Sequence, residues 1–147
     1  MIPWDKQKLN QHRALQREIP KLHKDIARLY ERLEEIPIVT GKVSKSSDDY
    51  PYIEQHVTVQ MEEPKLATEI KKQIRYKELR LDQAEKDKTE IERFIANIPD
   101  SLTRQIFELT FIDGKGQQLV GKIVGLERSS ISKKIDKYMQ LSDNSQK

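Results

Sequence analysis

The residues best suited to chemistry in this chain lie near its carboxyl end and carry hydroxyl groups and positive charges. Between Lys122 and Tyr138 the sequence has five Lys/Arg residues against two Asp/Glu residues. Cations bind phosphate oxygens, and serine hydroxyls can bond to phosphates or to base edges. This mixture favours double-stranded DNA over a protein as the bound partner. The residues expected to contact it are Lys122, Arg128, Ser129, Ser132, Lys133, Lys134 and Lys137.

A helix-turn-helix pattern would position these residues. Apolar residues recur at helical spacing on both sides of a turn; they are Leu119, Val120 and Ile123, then Ile131, Ile135, Tyr138 and Met139. Gly125 can adopt the positive φ that ends the first helix, and Leu126 can fill the angle between the helices. Gly121 falls where a small side chain lets the second helix cross closely. Many such pairs are purely structural hairpins, so it is the serine and lysine face that favours DNA binding.

The composition indicates elongated helices with a narrow buried stripe. Of the 147 residues, 35% are hydrophobic and 35% are charged, and the mean hydropathy is −0.80. The net charge of +3 is small, so the case for DNA comes from local clustering. The absence of cysteine excludes disulfides and fits a reducing cytoplasm. No run approaches the ~20 apolar residues that span a bilayer, and the amino terminus has no signal-peptide core, so no membrane partner is expected.

A first long helix is predicted ahead of the helix-turn-helix. From Leu15 to Ile36 the apolar residues fall alternately four and three apart, which is the heptad seam of a coiled coil. Pro20 lies inside this seam. Because an interior proline costs about 3 kcal/mol or more, a kink or a restart of the helix is expected at Ile19–Pro20.

A second long helix is predicted from Pro64 to about Asn97. Its seam consists of Leu66, Ile70, Ile74 (or Gln73), Lys77, Leu81, Ala84, Lys88, Ile91 and Ile95. The two lysines weaken this seam, and lysines at such positions can influence oligomer choice. Two long helices joined by a compact connector most simply fold back as an antiparallel pair.

The expected fold class is therefore mainly α, an antiparallel long-helix hairpin followed by a C-terminal helix-turn-helix module. Alternating valines in the connector favour a short β-hairpin at the tip. The predicted regions are 1–97, a helical hairpin and oligomerisation region whose connector is 38–61; 98–140, the DNA-binding domain; and 141–147, a flexible tail. In the second of these, Asp100 or Ser101 can cap a helix over Leu102–Phe111.

The segment Ile98-Pro99-Asp100-Ser101 through Gly114, together with the helix-turn-helix, resembles region 4 of bacterial sigma factors. It is more closely similar to the sigma-region-4-like transcriptional regulators of phages and prophages, of the RinA/ArpU type. The resemblance is good over about the last third of the chain and only architectural before it. It implies sequence-specific DNA binding that controls phage genes in the cytoplasm of a bacterial host cell, with RNA polymerase as a further partner.

By position, the resemblance also implies roles for the site residues. Base edges or adjacent phosphates would be faced by Arg128, Ser129, Ser132 and Lys133, and the backbone would be gripped by Lys134 and Lys137, with Lys122 approaching it from the preceding helix. The sequence departs from the family at Gln117, where an aromatic residue is common, and at Glu127, where a Ser or Thr usually caps the helix. The negative charge of Glu127 is favourable at a helix N-terminus, but it also directs an acid toward the DNA phosphates. One copy would then bind weakly, which favours a dimer or a polymerase-assisted mode.

The residues do not favour an enzyme, a metal site or a cofactor. The three histidines, His12, His23 and His56, are scattered, and no cysteine accompanies them. Ser129 and Ser130 near Lys133 could resemble a Ser–Lys nucleophile, but no oxyanion-stabilising loop accompanies them. The glycines at 114 and 116 lack the strand and the spacing of a phosphate loop.

Two other function classes remain open at this point. A small terminase-type packaging subunit also joins a helix-turn-helix to helical oligomerisation segments, but it assembles into a ring. A coiled-coil adaptor would use the C-terminal module to bind protein and would not bind DNA. A regulator is expected to be a homo-oligomer, with a dimer favoured, so oligomeric state separates it from the packaging subunit.

Overall fold

The computed structural model describes residues 4–37 and 64–145. Regular structure within these ranges is entirely helical. The helices are α1 (Lys6–Glu35), α2 (Lys65–Ala96), α3 (Ser101–Phe107), a π-helical turn (Glu108–Ile112), α4 (Gln117–Val124) and α5 (Arg128–Ser145). This confirms the mainly α class, with a long helix pair followed by shorter helices. The predicted β-hairpin in 38–61 lies outside the described residues.

Of the kink or restart predicted at Ile19–Pro20, the restart is wrong, because α1 continues through Pro20. A proline has no N–H and leaves the carbonyl of the residue four positions earlier without its helical partner. That residue is Gln16, and both it and Pro20 are exposed, so water can bond to the free carbonyl. The neighbouring seam residues Leu15 and Leu22 are buried and hold the helix on either side of the proline.

The chain divides into two compact units. The first combines residues 1–21 with 82–147, and the second is 22–81. The division therefore runs across both long helices. The predicted regions 1–97, 98–140 and 141–147 stay a prediction. None of the described helices is both long enough and apolar enough to cross a membrane.

In the first unit, the start of α1 and the end of α2 pack with all of the C-terminal helices around one core. The core residues with almost no exposure are Leu9, Ile91, Ile95, Ile98, Ile106, Phe107, Val120, Ile131 and Ile135. Aromatic rings extend this packing. Trp4 stacks on Phe94 at 4.4 Å between ring centroids, and Tyr138 meets Phe94 and Phe107 edge-on at 6.0 and 5.4 Å.

In the second unit, the end of α1 packs on the start of α2. Leu29, Ile70 and Ile74 form its buried cluster, which Leu33 and Ile36 flank. The predicted seam is confirmed at Ile70 and Ile74, which are both buried. It is wrong at one position: Leu66 is 54% exposed, and its neighbour Ala67 is buried instead.

The lysine in the second unit's seam has a partner. Lys77 Nζ lies 3.3 Å from a carboxylate oxygen of Asp25 on α1, and both side chains are partly buried. The Tyr30 hydroxyl also donates to Glu78 Oε2 at 3.1 Å, and the hydrogen bond to this carboxylate raises the pKa of Tyr30. An ion pair and a hydrogen bond therefore join α1 to α2 where the seam lacks apolar residues.

The helix before the helix-turn-helix is capped as the sequence indicates. Asp100 is the N-cap of α3, and its carboxylate accepts hydrogen bonds from the Thr103 N–H at 2.9 Å and the Thr103 hydroxyl at 2.7 Å. The predicted single helix over Leu102–Phe111 ends differently, in a π-helical turn. There the Asp113 N–H donates to the Glu108 carbonyl at 2.9 Å, which is i to i+5 bonding.

Candidate DNA-binding surface

The turn between α4 and α5 has the geometry that the sequence predicts. Gly125 is the C-cap of α4 and has φ of +79°, in the left-handed region that glycine enters without strain. Its N–H donates to the Gly121 carbonyl, as does the N–H of Leu126 at 2.8 Å. Leu126 is half-buried against the core of the first unit, in the plugging position predicted for it.

Gly121 is small because the turn backbone lies directly against it. A Cβ at this position would collide with the carbonyl oxygen of Leu126 and would only touch the backbone of Glu127 at ordinary van der Waals distance. The close approach predicted at Gly121 was that of the second helix. In the structure the contact is made by the turn residues between the helices. The direction in which α5 starts is therefore set by Gly121 and Gly125.

One apolar face of the motif differs from the prediction. Leu119 and Ile123 are 47% and 52% exposed, whereas Val120 is fully buried. The buried side of α4 is completed by Gly121, which is buried, and Val124, which is half-buried. The predicted and observed sets both have the helical spacing i, i+1, i+4, so periodicity alone could not distinguish two faces rotated by one residue.

The apolar side of α5 packs into the core as expected. Ile131 and Ile135 are at most 1% exposed, and Met139 is 8% exposed. Because these residues fix the rotation of α5 about its axis, the opposite side of the helix must face solvent. Burial raises the pKa of Tyr138, whose side chain also lies on the core side.

The residues predicted to contact DNA fall into two groups by exposure. The exposed ones are Lys122, Arg128, Ser129, Lys133 and Lys137, and the half-buried ones are Ser132 and Lys134. On α5, Ser129, Lys133 and Lys137 are spaced four apart and lie on the side away from the buried isoleucines. The name "outer face of α5" is used below for these three residues.

The exposed cations of this surface are unpaired within the part of the chain that the structure describes. There, Lys122, Arg128, Lys133 and Lys137 form no ion pair. Positive charge without a carboxylate partner keeps its full attraction for an external anion. These four side chains can therefore reach phosphates without first breaking an internal contact.

Lys134 sits differently from the other cations. Its charge acts on Asp100, the cap of α3, and this contributes to that carboxyl's lowered pKa. The larger causes are the hydrogen bonds from the Thr103 hydroxyl and the Thr103 N–H, in that order. The predicted contact of Lys134 with the DNA backbone stays a prediction.

Lys6 contacts the predicted DNA-binding helix but was not among the residues predicted for the site. This residue, the first of α1, forms an ion pair with Asp136 of α5, and the two side chains are 46% and 53% exposed. Asp136 is one of the two acids in the predicted site, and Glu127, the other, is exposed. No local pattern could have revealed the pair, because its members lie at opposite ends of the chain.

A second cation from α1 lies at the loop that precedes the helix-turn-helix. The guanidinium of Arg13 occupies the space where Gly114, at φ +72°, would carry a Cβ. Arg13 is itself exposed. Both α1 contacts fall within the first unit and pack the amino-terminal helix against the C-terminal module.

His12 has a structural partner. It is buried, and its Nε2 lies 2.8 Å from Glu92 Oε2, which Lys88 also approaches at 3.2 Å. Partial burial raises the pKa of Glu92, but the hydrogen bonds from His12 and Lys88 outweigh it and leave that pKa below its usual value. The second inward lysine of the predicted seam is therefore paired, like Lys77.

Comparison with known proteins identifies no relative. No family model matches the chain, no curated protein matches it, and no solved structure matches it.

Proposed function

We propose that the chain is a sequence-specific DNA-binding transcriptional regulator of phage or prophage genes. The observation that carries this proposal is the outer face of α5. It presents Ser129, Lys133 and Lys137 to solvent on a helix whose opposite side is anchored in a core. A helix presented in this way after a tight turn has the dimensions and chemistry of a recognition helix for the major groove.

The contacts are assigned by position on the motif. Arg128 and Ser129, at the start of α5, are placed to read base edges, as the first residues of recognition helices do. Lys133 and Lys137 follow along the exposed side and bind phosphates, as does Lys122 from α4. Phosphate contacts supply most of the affinity and make it depend on salt, and base contacts supply the sequence preference.

The same contacts indicate the partners of the protein. Double-stranded DNA is the primary one, and the protein acts in the cytoplasm of a bacterial host cell. Exposed Glu127 opposes phosphates at the start of α5, so a single module binds weakly. Two modules in a homodimer, or one module assisted by RNA polymerase, overcome this weakness.

Charge reversal on the outer face tests the proposal. Lys133→Glu/Lys137→Glu is expected to abolish binding to genomic DNA fragments from the native host, measured by fluorescence anisotropy. The matched control is Lys24→Glu/Arg28→Glu, which reverses two exposed charges on α1, far along the chain from the motif. Circular dichroism checks that helicity is unchanged in both variants.

Two outcomes would contradict this assignment. Equal loss of binding in the control variant would mean that overall charge, and not the outer face of α5, drives association. No binding by the unaltered protein to any genomic fragment, even at low salt, would favour the adaptor that does not bind DNA.

A further inference from the structure

The side of α2 that faces solvent carries an ordered stripe of residues. Its central members are Glu69, Lys72, Tyr76, Leu79, Gln83 and Lys86, which alternate three and four apart, and all of them are exposed. Because α2 is one continuous helix from Lys65 to Ala96, this spacing places them in a row along its outer surface. The row is called the outer stripe below.

The centre of the outer stripe is apolar. Tyr76 is 66% exposed and Leu79 is 60% exposed, which makes them the two most exposed large hydrophobic side chains among the described residues. They are three residues apart and therefore adjacent on the helix surface. Two exposed apolar residues are not unusual in themselves, so the identity of what covers them must come from the charges around them.

Charged residues at equal distances on the two sides of this centre have opposite signs. We propose that the outer stripe binds the outer stripe of a second copy of this chain, with the two α2 helices antiparallel. In the register that sets Tyr76 of one copy opposite Leu79 of the other, Glu69 faces Lys86. One step further out, exposed Lys65 faces exposed Glu90.

The two-fold symmetry of such a dimer doubles every contact. Each Tyr76–Leu79 contact and each Glu69–Lys86 contact occurs twice, because an interface between identical surfaces is self-complementary. Lys72 lies opposite Gln83, which carries no charge. No pair of like charges is brought together along the stripe in this register.

A parallel arrangement in register lacks this complementarity. It would set Glu69 against Glu69, and Lys72 and Lys86 each against its own copy. Like charges at facing positions destabilise helix pairs, and such positions set partner choice and orientation in coiled coils. The charge order therefore selects the antiparallel pairing.

Contacts within α2 do not prevent the interface. Lys72 lies 3.9 Å from Glu69, and Lys86 lies 3.0 Å from Asp82, with all four side chains at least 63% exposed. Exposed pairs of this kind contribute little, so their side chains can reorient toward a second copy. Arg80 lies 5.6 Å from the Tyr76 ring centroid, and Tyr76 is 66% exposed despite this contact.

This inference does not depend on DNA binding, and its tests contain no DNA. The chain has no cysteine, so single cysteines can be introduced cleanly. A mixture of the Glu69→Cys and Lys86→Cys variants, treated with a short bismaleimide, is expected to give a crosslinked dimer, whereas each variant alone is not. Crosslinking of Glu69→Cys to itself would show a parallel pairing and overturn the proposal.

Charge reversal tests the register by a second route. Glu69→Lys is expected to weaken self-association about tenfold in sedimentation equilibrium, since two ion pairs per dimer become repulsive. Glu69→Lys/Lys86→Glu is expected to restore it, because both contacts are re-formed with the charges exchanged. The control is Glu85→Lys, which makes the same charge change at an exposed position of α2 outside the stripe.

The outcomes of these measurements are decisive in either direction. Restored association in the double variant, with no effect of Glu85→Lys, supports the interface. A chain that is monomeric at every concentration, or a double variant as weak as Glu69→Lys, would overturn it. Either result leaves the DNA-binding proposal to be judged on the outer face of α5.

Discussion

Lys6, the first residue of α1, forms an ion pair with Asp136 on α5, so a cation from the start of the chain offsets an acid on the proposed recognition helix. This contact connects the amino-terminal helix to the proposed recognition helix. Both side chains are about half exposed, so the pair adds little to stability. We expect the Lys6–Asp136 pair to affect the affinity for DNA instead.

Removing Lys6 is therefore expected to weaken DNA binding. In Lys6→Ala, Asp136 loses its counter-ion and repels phosphates, and affinity should fall several-fold at low salt. Lys6→Ala/Asp136→Asn should recover most of the lost affinity. Fluorescence anisotropy titrations measure both, and a double variant as weak as Lys6→Ala would show that Lys6 binds DNA directly.

The phosphate contacts can be counted by salt dependence. Lys133→Ala is expected to reduce the slope of log K against log salt by about 0.9, the value for one phosphate contact on B-DNA. Ser129→Ala should leave the slope unchanged and reduce the preference for the specific site over random DNA. If both variants lower the slope equally, the assignment of separate phosphate and base contacts is incorrect.

The two turn glycines are expected to resist substitution for different reasons. Gly125→Ala should cost about 1–2 kcal/mol because of its left-handed backbone. Gly121→Ala should cost about 1–3 kcal/mol because its Cβ meets the carbonyl of Leu126. Urea denaturation measures both losses.

Gly116→Ala is the matched control for these glycine variants. Gly116 has φ of −70°, and no heavy atom lies within 4 Å of the position that a Cβ would occupy. Gly116 is the N-cap of α4, where alanine is less favourable than glycine, but the lower entropy of the unfolded alanine chain acts in the opposite direction, so the replacement should change stability by less than about 0.5 kcal/mol. A loss as large as that of Gly121→Ala would mean that the cost at Gly121 does not come from the close contact of its Cβ with Leu126.

The cap of α3 should make stability depend on pH in the acid range. Hydrogen bonds from Thr103 lower the pKa of Asp100, and nearby Lys134 contributes. A carboxyl whose folded pKa is lowered stabilises the protein at pH above its unfolded pKa, and this contribution disappears as pH falls through the folded value. Melting temperatures of the unaltered protein and Asp100→Ala should differ at neutral pH and converge in acid.

Lys134→Ala gives a further check on that cap. With the nearby positive charge removed, the pKa of Asp100 should rise slightly toward its usual value, while the Thr103 bonds keep it lowered. An NMR titration of the Asp100 carboxyl measures this directly. No change in that titration would indicate that Lys134 points away from Asp100 and toward solvent.

Residue types and their spacing were enough to predict the local features of the chain. The positive φ of Gly125, the cap at Asp100 and the span of α2 each depend on residues within one turn or one helix. Short-range sterics and hydrogen bonding fix such features, so a pattern of residue types is enough to predict them. The outward position of Lys133 and Lys137 follows in the same way from the buried isoleucines of α5.

Other features were compatible with more than one local arrangement, and the packing of the helices selected among them. Leu119 and Ile123 face solvent because Val120 and Val124 offer an equally spaced side that packs in the core. The helix continues through Pro20 because long-range packing on both sides offsets the missing hydrogen bond. The Lys6–Asp136 pair joins residues far apart in sequence, and such contacts arise only from how the helices pack.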